Sequence, residues 1–317
     1  VASVKTSGVL VTIIFLFFAA SISIFPKPTA KFDIIFTVSG SFSIVSLSIL
    51  SVSDRITKEI LETPNRKTKI IANFGVGVDN IDLVTAKKNE IIVTNTPDVL
   101  TDATAEIAML LILGACRRAS EGMDWVKKEN WKWSADFLIG KQLTGSRLGI
   151  LGMGRIGRAL AKIAKSFGME IHYRNRTKLS NDKEIGATFH DNIKSLFSVS
   201  DVLSICCPAT KETKDIINKE TLEYFPTGAI ITNVARGDMI DDEAMVQALV
   251  SRKIYAIGLD VYKGEPKIHP EYLKQPTAFI LPHLGSATKK TRTAMADLAI
   301  DNIDEYFKTG MAKNKVN

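Results

Sequence analysis

Cysteine is scarce, with three residues in 317. Cys116, Cys206 and Cys207 have neither the even number nor the spacing of a disulfide framework. Adjacent Cys206 and Cys207 also lack the two-residue gap of a redox or zinc site. These thiols read as small apolar fillers in a chain from a reducing compartment. Histidine is nearly as rare, at four residues, which leaves few candidates for proton transfer near neutral pH. Lys and Arg are scattered rather than run together despite a formal net charge of +7. That excludes a nucleic-acid-binding tract and leaves a surface that attracts small anions. The oddest absence is of charge between Ile13 and Leu50, where only Lys27, Lys31 and Asp33 are ionisable. Overlapping its start, Val9–Phe25 follows Lys5 without a charge, as a secretory signal would or as a buried first strand would. Ser21 and Ser23 interrupt it too early for a membrane span, which needs roughly 20 apolar residues. A Ser/Ile/Phe-rich stretch of this kind cannot cover a soluble surface. It reads as a frame-shifted segment between two regular ends, and the initial Val in place of Met points to an incomplete chain. No membrane partner and a cytoplasmic location are expected.

The rest of the composition is that of a globular protein, 45% hydrophobic and 24% charged, in a chain long enough for two domains. From Asp54 onward, short apolar runs bounded by Gly, Asn or Asp alternate with helical stretches, the signature of βαβ units. Strands are predicted at Lys69–Ala72, Ile91–Thr94, Leu148–Leu151, Glu170–Tyr173, Ala187–His190, Val202–Cys206, Ala229–Asn233, Ala256–Asp260 and Ala278–Leu281. Helices are predicted near Asp82–Lys88 and over Thr104–Arg118, Asp242–Val250 (capped by Asp241) and Lys289–Thr309. The fold class is therefore α/β: a Rossmann-type doubly wound parallel sheet with a smaller, flavodoxin-like α/β domain. The expected division is residues 101–284 for a dinucleotide-binding domain. Residues 1–100 and 285–317 then form a discontinuous substrate-binding domain, with 13–50 atypical.

Gly152-Met153-Gly154-Arg155-Ile156-Gly157 is a GxGxxG directly after a predicted strand and at the start of a predicted helix, the context that makes the motif specific for a dinucleotide. Gly152 permits the turn, Gly154 clears the approach of the pyrophosphate, and Gly157 lets helix and strand pack closely. About twenty residues on, an Asp or Glu would grip the ribose 2′-hydroxyl of NAD. Asn175 stands there, flanked by Arg174, Arg176 and Thr177, so neutral and cationic donors face a 2′-phosphate with no carboxylate to repel it. NADP is favoured, and NAD use stays open.

The histidines sort by position. His172 and His190 fall in strands and His269 in a polar loop, whereas His283 follows Ile280-Leu281-Pro282 at the carboxyl end of a strand, where open α/β sheets place ligands. Reduction of a ketone needs a proton donor beside the hydride donor, and imidazole titrates in the right range. Glu265, in Lys263-Gly264-Glu265-Pro266, could hold that imidazole's tautomer and favour its protonated form. Arg236, just past another strand end, offers a fixed cation to a substrate carboxylate.

Six segments in order resemble the D-2-hydroxyacid dehydrogenase family, and within it the glyoxylate/hydroxypyruvate reductases. They are ANFGVGVDNID (72–82), NTPDVLTDATAE (95–106), LGMGRIGRALA (151–161), NVARGDMID (233–241), GLDVYKGEP (258–266) and LPHLGSAT (281–288). Gly8–Thr12 resembles the family's first strand, and the likeness resumes at Ser51. The resemblance implies that Arg236, Glu265 and His283 are the catalytic trio and that Val76 and Gly77 offer backbone N–H groups to the substrate carboxylate. It further implies that Asp260 orients the nicotinamide amide, that Val234 and Gly285 line the cofactor, and that the protein dimerises through the Thr104–Arg118 region. The implied activity is NAD(P)H-dependent reduction of a small 2-keto acid, glyoxylate or hydroxypyruvate. Alternatives are phosphoglycerate or another D-2-hydroxyacid as substrate, a non-catalytic nicotinamide-sensing protein, and the inactive product of a damaged gene.

Overall fold

The computed structural model describes residues 2–6, 9–13, 48–51, 55–65 and 68–317. The chain divides into two compact units, Val1–Pro97 with Thr293–Asn317, and Asp98–Arg292.

In the first unit, β1 (Ala2–Thr6) and β2 (Val9–Ile13) form an antiparallel pair. The segment expected to open the smaller parallel sheet is therefore paired with its own neighbour. Most of the charge-poor stretch lies outside the described residues. The parallel sheet consists of β3 (Ser48–Ser51), β4 (Ile70–Phe74) and β5 (Ile92–Thr94), with β4 central. Two short helices accompany it, α1 (Lys58–Leu61) and α2 (Leu83–Lys88). Asp82 starts α2 by accepting the Thr85 N–H at 2.9 Å and its hydroxyl at 2.8 Å, which satisfies one of the orphan donors of the first turn. Successive side chains of β4 serve opposite faces. Ile71 packs with Leu61, Ile81, Ala86, Ile91 and Val93, while Ile70 and Ala72 meet Ala299 and Ile303. The chain end ties in as well, because the Asn317 side chain accepts the Val93 N–H at 2.9 Å.

The second unit begins with α3 (Thr101–Cys116) and α4 (Ala119–Lys127). A parallel βα series follows: β6 (Arg147–Leu151), α5 (Arg155–Ser166), β7 (Glu170–Arg174), α6 (Asn181–Glu184) and β8 (Thr188–Phe189). It continues through α7 (Ile193–Val199), β9 (Val202–Ile205), α8 (Lys219–Leu222), β10 (Ala229–Asn233), α9 (Asp242–Val250), β11 (Ile254–Leu259) and β12 (Ala278–Ile280). The final helix, α10 (Lys289–Thr309), runs across the boundary in sequence between the units. The seven strands lie in the order β12-β11-β10-β9-β6-β7-β8. Chain direction across the sheet reverses between β6 and β9, and such a reversal opens a crevice at the carboxyl ends of the strands. Residues Ile150, Leu203, Ile231 and Ile257 are fully buried, as the continuous apolar runs of a two-sided parallel sheet require.

Helix α3 starts three residues before the predicted Thr104. No side chain caps it at Leu100, so no polar signal marks its start. It ends at Cys116, and Arg118 turns left-handed at φ 54°. Its face is built for close contact: a Cβ on Gly114 would lie 2.5 Å from the Phe279 ring. Ala105, Ala108, Leu111, Ile112 and Ala115 are buried, while Leu110 on the same helix is 42% exposed. Burial pushes the Cys116 thiol up to about 12, which fits an inert core filler. Among the described residues no helix is long and apolar enough to cross a membrane.

Candidate active site

At the end of β6 the backbone enters the left-handed region at Gly152, φ 96°. A Cβ there would lie 2.5 Å from the Cys207 nitrogen and Cβ, so strand-end backbone leaves room only for glycine. A Cβ on Gly157 would meet the Gly152 carbonyl oxygen at 2.5 Å, which shows how closely α5 packs on the turn. Gly154 differs, since no heavy atom lies within 4 Å of its Cβ position. The turn therefore presents an open face at the N-terminus of α5, where no side chain caps the helix. First-turn N–H groups of a helix have no intrahelical partner and carry its positive end, so Arg155, Ile156 and Gly157 offer an anion cradle. These residues fit the pyrophosphate of a dinucleotide. Gly152→Ala is expected to cost about 2–4 kcal/mol from the left-handed backbone and the overlap together. Thermal unfolding and dinucleotide titration check it, and parental values in both would overturn the reading of this turn.

Met153 and Asn175 are joined: Asn175 Oδ1 accepts the Met153 N–H at 2.6 Å. The residue at the ribose-selecting position thus also holds the glycine turn in shape, a role not visible in the sequence. Arg174 lies with its guanidinium 5.9 Å from the Phe189 ring. Its Nη1 is buried with no partner among the described residues. Arg176 and Thr177 are exposed, so the Arg176 guanidinium is open to a ligand.

The three remaining chemical candidates follow three neighbouring strands, β10, β11 and β12. Asn233, fully buried at the end of β10, accepts the Ala235 N–H at 2.9 Å and donates to the Arg236 carbonyl at 2.7 Å. It pins the turn that contains Val234 and presents Arg236. Beyond β12, His283 Nδ1 stands 2.7 Å from Glu265 Oε2, each side chain 34% exposed. The pair is therefore reachable from solvent. Burial alone would raise the Glu265 carboxyl. The hydrogen bond with His283, the Tyr262 N–H, and the charges of His283 and Arg236 outweigh it, and the carboxyl lies below its ordinary value. The structure thus brings Arg236, Glu265 and His283 together.

His283 itself is left-handed at φ 55°, unfavourable for a side chain with a Cβ. Asp260, only 1% exposed, over-determines that turn, as its two carboxylate oxygens accept the Leu284 N–H at 2.6 Å and the Gly285 N–H at 2.8 Å. Burial pushes its carboxyl up, opposed by those N–H bonds and by His283. An ionised carboxylate still has acceptor capacity beyond these two bonds. Gly285 is held from its other side too, its carbonyl accepting from the Thr104 hydroxyl at 3.1 Å. Sequence reading did not single out Asn233 and Thr104; the only available signal was a polar residue in an apolar run.

Val76 and Gly77 lie in the other unit, after β4. Asn95 Nδ2 donates to the Val76 carbonyl at 2.9 Å, and Asn73 Nδ2 to the Gly77 carbonyl at 2.7 Å. With both carbonyls turned to these amides, neither N–H donates to a described residue.

Two histidines outside the trio form a pair of their own. His172 Nδ1 and His190 Nε2 are 3.0 Å apart beside edge strand β8. Burial lowers the pKa of both from 6.5. The charge of His190 lowers His172 further, against partial support from Glu170 and Asp201, and Asp191 supports His190. Below pH 6.5 the unfolded chain therefore binds protons that the folded chain refuses, so stability present above that pH is lost on acidification. The melting temperature is expected to fall from about pH 7 to about pH 5, less steeply in His190→Gln; equal slopes would overturn this assignment.

Comparison with known proteins gives a consistent picture. Residues 109–285 match the family model described as the D-isomer specific 2-hydroxyacid dehydrogenase, NAD binding domain. The chain is 41% identical over 266 residues to a glycerate dehydrogenase of Hyphomicrobium methylovorum, covering 83% of each. It is 42% identical over 279 residues to a glyoxylate reductase of Thermococcus litoralis, covering 86% of this chain and 84% of the relative. Among solved structures it is similar to an NADPH-dependent glyoxylate/hydroxypyruvate reductase from Sinorhizobium meliloti in complex with NADP and malonate. That likeness has a TM-score of 0.79 at 34% identity and covers 86% and 84% of the two chains.

Proposed function

The chain belongs to the D-isomer specific 2-hydroxyacid dehydrogenase family, and from that premise we propose that it reduces glyoxylate or hydroxypyruvate with NADPH. The observation that carries the proposal is the 2.7 Å His283–Glu265 pair with Arg236 on the adjacent strand end. When bound, the nicotinamide supplies a hydride to the keto carbon. His283 donates a proton from Nε2 to the keto oxygen, because Nδ1 is occupied by Glu265. Glu265 holds the imidazole in one tautomer and stabilises its protonated form. Arg236 binds the substrate carboxylate by charge and hydrogen bonds; in the other unit, the N–H groups of Val76 and Gly77 are donors suited to a carboxylate. Asp260 accepts the nicotinamide amide in addition to holding the His283 turn, and Val234 and Gly285 line the cofactor.

Two relatives support the substrate class, one named a glyoxylate reductase and one a glycerate dehydrogenase. Glycerate is the acid formed when hydroxypyruvate is reduced at C2. Exposed Arg176, with Asn175 in place of a carboxylate, supports NADP over NAD. A spectrophotometric screen of glyoxylate, hydroxypyruvate and pyruvate with each cofactor tests the reading. We expect NADPH with one of the first two acids to react fastest. Equal rates with NADH would remove the cofactor preference, and no oxidation with any acid would overturn the activity.

In this reading the unit containing Val76 binds the substrate, and the unit containing the GxGxxG turn binds the dinucleotide. A homodimer forms through the second unit. Leu110 on α3 is 42% exposed, and Met123, Val126, Trp131, Trp133 and Ile139 after it are each at least half exposed, apolar surface that supports such an interface. Light scattering checks this: a monomer at micromolar concentration would overturn it. A cytoplasmic location accords with a reductase that draws on free NADPH.

A further inference from the structure

Tyr262 sits where the three loops of the trio converge, and it has no part in the mechanism above. Its N–H donates to Glu265 Oε1 at 2.9 Å, which leaves Oε2 for His283. Its hydroxyl reaches the Leu281 carbonyl at 2.6 Å and the Leu259 carbonyl at 3.1 Å. Leu259 ends β11, and Leu281 lies just past β12 and two residues before His283. The same two residues are joined by the Leu281 N–H to Leu259 carbonyl bond at 2.8 Å. Among the described residues β12 is the edge of the sheet, with no strand on its far side. On the third side the Tyr262 backbone abuts the Arg236 turn, where a Cβ on Gly237 would lie 1.9 Å from the Tyr262 carbonyl carbon. The neighbouring Lys263 fixes the segment from outside through Asp215 at 2.9 Å.

We infer that Tyr262 is a positioning residue whose hydroxyl clamps the open edge of the sheet and so sets His283 against Glu265. The inference rests on the proposed role of that pair. A ring without a hydroxyl would fill the same space. What it could not do is hold the Leu281 carbonyl, and with it the two residues that lead into the left-handed His283. Because a small displacement of a catalytic group is costly, the hydroxyl acts on proton transfer rather than on binding of the dinucleotide. Neither Arg236 nor the GxGxxG turn receives a hydrogen bond from it.

Tyr262→Phe removes only the oxygen. We expect kcat to fall about threefold to tenfold with the KM for the dinucleotide unchanged. The alkaline limb of the kcat/KM profile should move to lower pH, because an imidazole less firmly seated against Glu265 gains less support for its charge. In 15N spectra the ring of His283, held as one tautomer in the parent, should show averaged signals in the variant. 4-Aminophenylalanine at the same position keeps a donor and should restore parental behaviour. Parental kcat, pH profile and tautomer in Tyr262→Phe would overturn the inference, as would equal loss in both variants. Should the parent turn over no 2-keto acid, the functional reading fails separately, and the tautomer signal still decides whether the hydroxyl positions His283.

Discussion

Replacement of His283 by Ala is expected to lower turnover of a 2-keto acid by about 10²- to 10⁴-fold, the range that a positioned general acid contributes. Dinucleotide affinity should stay within about twofold, because the substitution leaves in place both the N–H groups at the start of α5 and the Asp260 bonds that hold the Leu284–Gly285 backbone. The variant leaves Glu265 beside Arg236 without its imidazole, and no other described histidine can replace it. His172 and His190 bond to each other, and His269 Nε2 is taken by Glu243 at 3.0 Å. His269→Ala provides the control and should leave turnover unaffected. Single-turnover kinetics with a fluorescence titration of NADPH separate the two effects; near-parental turnover in His283→Ala would remove it from the chemistry.

Gly237→Ala is expected to damage stability and activity together. Its Cβ would lie 1.9 Å from the Tyr262 carbonyl carbon, 2.1 Å from the Lys263 nitrogen and 2.4 Å from the Tyr262 oxygen. All three are main-chain atoms, so no rotamer change relieves the overlap and one loop must move. We expect about 3 kcal/mol of destabilisation, at the upper end for overpacking, and loss of most activity, because the loops forced apart carry Arg236 and Glu265. Denaturant unfolding together with kcat/KM checks both parts. A stable Gly237→Ala with parental activity would show that this contact does not hold the two loops in register.

Much of the site was legible because its residues occupy sequence positions with a fixed structural meaning. A residue just past a buried parallel strand lies at the ligand end of the sheet, and that single rule gathered Arg236, Glu265 and His283. Gly152 and Gly157 were readable for a similar reason, since a strand-to-helix turn of this tightness has no space for a side chain. Element edges were less legible. The start of α3 at Thr101 carries no polar cap, and α4, lacking both a cap and a buried face, was not foreseen.

The sequence by itself determined the α/β alternation, the dinucleotide turn and which side chains reach the strand ends, because these follow from local periodicity and chain direction. Tertiary structure alone decided how those side chains are held. Asp260 clamps the His283 turn from 24 residues away, Asn175 closes on Met153 from 22 away, and the Tyr262 hydroxyl bridges two strand ends. Each is a hydrogen bond between groups brought together by sheet register and crossover connections, and neither distance nor angle across a sheet is written in the local pattern of the chain.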